Sequence, residues 1–122
     1  MASPRVLLLL PPLTQLNTPY PSTAYLTGFL QSRNIAVEQA DLGIEMVLRL
    51  FSPDGLRHIF RQLHGQERSL PREAIGMMRA EHSYVDMIGP VVDFLQGKLP
   101  DLASDLIRPG VLPQGPRFRG RK

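Results

Sequence analysis

The sequence predicts an α/β fold of an unfinished kind: a partial Rossmann-like βαβ unit with two parallel strands, followed by a helical segment, the sheet being incomplete. Three observations predict it. Val6 to Leu10 is an unbroken apolar run closed by Pro11-Pro12; a helical apolar stripe follows Ser22; and after a second short extended segment centred on Val37, every later apolar pattern has the period of a helix.

The first strand spans Arg5 to Leu10. Because it is apolar without alternation after Arg5, it reads as a strand buried on both faces of a parallel sheet. Pro11 ends it by removing a backbone donor and fixing its own φ. The turn from Pro12 to Pro21 is stiffened by Pro19 and Pro21, which push Thr18 and Tyr20 toward extended geometry. Ser22 is the expected N-cap of the first helix, in which Leu26, Phe29 and Leu30, with Tyr25 beside them, turn an apolar face toward the sheet. The helix should end at Ser32-Arg33-Asn34, since Asn34 suits a left-handed closing position. Ile35 to Ala40 is the second strand. Strand, helix and strand in so short a span make a parallel pair joined by a right-handed crossover.

Helices follow without an intervening strand. Asp41 or Gly43 caps a second one carrying Ile44, Val47, Leu48 and Phe51, which Ser52-Pro53 stops. Asp54 is the expected cap of a third, with Leu56, Ile59, Phe60 and Leu63 at the same spacing and His64-Gly65 closing it. Arg72 to Gln96 reads as helix with a break or kink at Gly89-Pro90, and Leu102 to Ile107 as a last short one. The domain is accordingly drawn at residues 1–108, with 109–122 a Pro/Gly-rich basic tail or linker. Two parallel strands leave two unpaired edges, so the expected partners are the remaining domains of a longer chain or a protein that completes the sheet.

Composition narrows the chemistry. The absence of cysteine removes disulfides, thiol nucleophiles, thiolate zinc sites and cysteine-ligated iron–sulfur clusters together. The net charge of +3 is unevenly placed: four of the 14 Lys and Arg residues (Arg117, Arg119, Arg121 and Lys122) lie in the last six positions, leaving 10 bases against 11 acids elsewhere. Four cations with one aromatic, Phe118, make a weak phosphate footprint, so nucleic acid is not an expected partner. Val6 to Leu10 is shorter than the apolar core of a signal peptide, and nothing approaches a membrane span in length; a cytoplasmic, soluble protein is expected, with no membrane partner.

Four segments carry a family likeness. They are Leu9-Leu10-Pro11-Pro12-Leu13; Asn17-Thr18-Pro19-Tyr20-Pro21-Ser22-Thr23-Ala24-Tyr25-Leu26 with Gly28-Phe29-Leu30; Gln39-Ala40-Asp41-Leu42-Gly43-Ile44-Glu45 with Leu48, Leu50 and Phe51; and Phe94-Leu95-Gln96-Gly97 with Leu112-Pro113-Gln114-Gly115-Pro116-Arg117-Phe118. In that order and spacing the chain resembles the N-terminal region of radical SAM proteins with a cobalamin (B12)-binding domain. The resemblance implies the first part of a Rossmann-like cobalamin-binding domain. In the full-length parent family, further strands follow, and then a barrel holding a 4Fe–4S cluster and S-adenosylmethionine through three cysteines. It therefore implies a noncatalytic N-terminal fragment of a cobalamin-dependent radical SAM protein. The alternative is a small helical protein-interaction module with no cofactor.

Many B12 domains place a histidine under cobalt with a D-x-H-x-x-G sequence. Here Leu56, Gln62 and Ala80 stand two positions before His58, His64 and His82, so none of the three fits. Two alternatives remain open: a binding mode without a protein ligand to cobalt, or a domain that has kept the fold and lost the cofactor. A corrin would lie over the carboxyl ends of the parallel strands. The candidate binding residues are therefore Leu16, Asn17, Thr18, Tyr20, Ser22 and Thr23 after the first strand, and Asp41 and Leu42 after the second. Backbone amides at the Ser22 helix start would receive amide or phosphate oxygens, with Tyr20 as an apolar wall; the plainer reading makes Ser22 only a cap and Tyr20 only turn packing. Glu81, His82 and Asp86 are a further polar group that a continuous helix would bring together, more simply an exposed edge than a catalytic site.

Overall fold

A computed structural model of the chain describes residues 4–14, 16–18 and 20–114. The expected constraint at Pro19 and the basic cluster of the tail lie outside them. The chain forms two compact units, Met1–Leu48 and Arg49–Lys122. None of the described helices is long and apolar enough to cross a membrane.

The first unit is the βαβ element. Strand β1 (Arg5–Leu10) runs parallel to β2 (Ala36–Asp41), in register from Arg5 opposite Ala36 to Leu10 opposite Asp41, and the two make a two-stranded sheet. Helix α1 (Pro21–Ser32) connects them. It closes as its sequence requires. Asn34 adopts φ 57°, and the Ile35 and Asn34 amides return to the Leu30 and Gln31 carbonyls at 3.0 Å each, which is the Schellman pattern.

The expectation that β1 is buried on both faces is not met. Val6, Leu8 and Leu10 are half-buried, while Leu7 and Leu9 remain 59% and 49% exposed. An unalternating apolar strand calls for cover on two sides, and this sheet has only one helix connecting its strands. The deficit extends to the whole unit: among its described residues only Gly43 is buried, and Tyr25 and Phe29 of α1 are 78% and 56% exposed. Helix α1 carries no charged residue and is apolar on several sides, as a helix enclosed within a larger body would be.

Two helix starts differ from expectation for one reason. Ser22 is not the cap of α1; the helix begins at Pro21, the N-cap position falls on Tyr20, and no side chain closes it. Proline, with φ preset and no amide to satisfy, takes the first helical position and makes its predecessor the cap. Pro53 likewise opens α3 (Pro53–Leu63), so the cap is Ser52 rather than Asp54, its hydroxyl accepting from the Gly55 amide at 3.0 Å. Ser52→Ala is therefore expected to cost about 1 kcal/mol of stability. Ser22→Ala should stay within about 0.5 kcal/mol. Denaturant unfolding of the two variants separates these outcomes, and equal losses would overturn the cap assignment.

The second unit has a small core. Phe60 of α3, Met78 of α4 (Arg72–Arg79) and Val85 of α5 (Glu81–Leu95) are buried together, with Leu56, Leu63, Leu70 and Tyr84 packed around them. The Phe60 and Tyr84 rings lie 6.4 Å apart at 44°, a tilted aromatic pair. Of the break or kink expected at Gly89-Pro90, the break is not there, since α5 runs through Pro90. The chain turns instead at Ala80, with φ −105° and ψ 15° and its amide on the Met77 carbonyl at 3.0 Å. Pro90 removes only one hydrogen bond from a helix already held by Val85, whereas the turn at Ala80 joins two helices that share one core. Helix α5 ends in a second Schellman pattern around Gly97, at φ 74°. A 3-10 turn at Pro100–Leu102 leads into α6 (Ala103–Leu106), where the last short helix was expected.

Candidate functional site

The carboxyl ends of β1 and β2 open into a cleft of about 430 Å³ that lies wholly within the first unit. Six of the eight candidate residues line it: Leu16, Asn17, Thr18, Tyr20, Thr23 and Asp41. Ser22 and Leu42 do not. Ser22 is the second residue of α1 and Leu42 the first of α2 (Leu42–Leu50), each adjacent in sequence to a lining residue.

The cleft exists because both crossings of the sheet edge are sharp. After β1 the chain turns at once, with Leu13 at φ 67° and the Thr14 hydroxyl donating to the Pro11 carbonyl at 2.5 Å. After β2 it enters α2 without a linking residue, and Asp41 acts as the cap: its Oδ1 accepts from the amides of Gly43 at 2.9 Å and Ile44 at 3.0 Å. Asp41 thus spends one carboxylate oxygen on the start of α2, as a cap does. A Cβ on Gly43 would come within 3.1 Å of that same oxygen and 3.5 Å of Leu16, so the absence of a side chain lets the Leu16 loop settle against the helix start.

The two helix starts at the cleft are unequal. That of α2 is closed by Asp41, whereas that of α1 has proline at its first position and no side-chain cap, leaving the amides of Ser22 and Thr23 without an intrahelical acceptor. Around them the lining is neutral and polar at Asn17, Thr18, Thr23 and Gln39, acidic at Asp41, and apolar at Leu10, Leu16, Ala24, Ala40 and Ile44. Such a surface suits a ligand that is uncharged over most of its area and presents amide or phosphate oxygens at one point.

Cobalamin is a ligand of that description along its amide-bearing rim. A cleft of about 430 Å³ admits part of such a cofactor and leaves the rest outside. None of the three histidines, all of which belong to the second unit, is among the residues that line the cleft.

Sequence reasoning missed Leu10, Ala24, Gln39, Ala40 and Ile44 as lining residues. The signal was present: Leu10, Gln39 and Ala40 are closing residues of the two strands, and a cleft over the strand ends takes its floor from them.

The other polar group does not come together. His82 Nε2 lies 3.1 Å from Asp86 on the exposed side of α5, while Glu81 turns away to His64 Nε2 at 2.9 Å. Among the described residues no three His, Asp or Glu side chains are placed to share a metal. Glu67, in the 3-10 turn Glu67–Ser69, is held below the ordinary carboxylate value of 4.5, first by the Gly65 amide at 3.0 Å, then by its own amide and by His64. A depressed carboxyl stabilises the fold above its unfolded value and loses that contribution as pH falls through the folded one. Glu67→Gln should accordingly flatten the acid-side fall in stability below about pH 4.5, by a small amount because the group is solvent-exposed; an unchanged slope would count against this hydrogen bond.

Comparison of the chain with models of protein families, with curated proteins and with solved structures gives no match.

Proposed function

We propose that this chain supplies the opening βαβ part of a cobalamin-binding α/β domain of the radical SAM type, and that it is noncatalytic alone. One observation carries the reading: six of the eight residues named for a corrin line one cleft over the carboxyl ends of the parallel strands. Asn17, Thr18, Thr23 and the free amides of α1 would hold the amide rim of the cofactor, with Tyr20 and Leu16 as apolar walls. When bound in a complete enzyme, cobalamin would carry a methyl group or assist a radical step. This chain has no cysteine to ligate the 4Fe–4S cluster on which S-adenosylmethionine chemistry in that family depends.

Hydroxocobalamin mixed with the purified chain should co-elute on gel filtration, seen by corrin absorbance. The double variant Asn17→Ala, Thr23→Val should retain severalfold less, each hydrogen bond contributing about 0.5–1.5 kcal/mol. A chain folded by circular dichroism that retains no corrin sinks the proposal.

A second reading has its own observation. The first unit has no buried apolar side chain among its described residues, and Leu7, Leu9, Tyr25 and Phe29 stand open to solvent. A βαβ element in that state serves as an interaction module whose sheet is completed by the remaining domains of a longer chain or by a protein partner. Sedimentation across a range of concentrations tests it: association supports the module, and a strictly monomeric, well-folded chain counts against it. Cytoplasmic residence goes with both readings.

A further inference from the structure

No further inference is drawn: the strongest candidate, the free edge of β1 with its exposed Leu7 and Leu9, belongs to the interaction reading already given, and nothing in the structure shows what covers it.

Discussion

Phe60→Ala is expected to cost about 3–5 kcal/mol and to unfold most of the unit from Arg49 onward. Among the described residues of that unit three apolar side chains are buried, and Phe60, 4% exposed, is the most buried of the cluster against which Leu56, Leu63, Leu70 and Tyr84 pack. Truncation would remove the aromatic pair with Tyr84 and leave a cavity that Met78 and Val85 cannot fill without moving α4 and α5. A loss of that size is comparable with the whole stability of a small domain. Amide exchange read on α3 and α5 provides the measurement. Protection that survives in both helices would show that the core is not where the structure puts it.

Gly55→Ala should cost about 3 kcal/mol, at the upper end for overpacking. An added methyl would fall on the carbonyl oxygens of Arg49 and Leu50, which are backbone and cannot rotate aside. The same shift would open the cap, because the Gly55 amide donates to Ser52 and the Ser52 hydroxyl also donates to the Arg49 carbonyl at 2.8 Å. Gly28→Ala is the matched control. Nothing lies within 4 Å of its Cβ position in α1, so it should gain about 0.5–1 kcal/mol from helix propensity alone. Denaturant titration of the pair gives opposite signs if the corner between α2 and α3 is as tight as described, and equal signs would refute it.

The sequence made the βαβ element legible because its signals are local. The run from Val6 to Leu10 and Asn34 at the left-handed position act within a few residues, and both stand in the structure, whereas the stripe expected through Tyr25, Leu26, Phe29 and Leu30 is not buried against the sheet: Leu30 is half-buried and the other three are exposed. At both α1 and α3 the cap lies two residues before the one expected, since Ser22 and Asp54 are better acceptors than Tyr20 but Pro21 and Pro53 decide the register. The turn at Ala80 had no local signal at all. Arg79, Ala80 and Glu81 are good helix formers, and what bends the chain there is the shared contact of Met78 and Val85 with Phe60, many residues away. At the cleft, the loop residues are readable from the rule that ligands lie beyond strand ends, and the same rule carried back into the closing residues of each strand reaches Leu10, Gln39 and Ala40, which form the floor.

The open strand has a practical consequence in colloidal behaviour. From Val6 to Leu10, β1 offers no charge, proline or bulge to interrupt pairing with a stranger, the devices by which natural sheet edges keep apart. Strand β2 at least carries Glu38, which pairs with Arg5 at 3.1 Å. Outside its last six residues the chain is close to electrically neutral, so little repulsion opposes contact between copies at neutral pH. Precipitation, rather than unfolding, should set the upper limit on concentration for the isolated chain, and that limit should rise when pH moves the body away from neutrality.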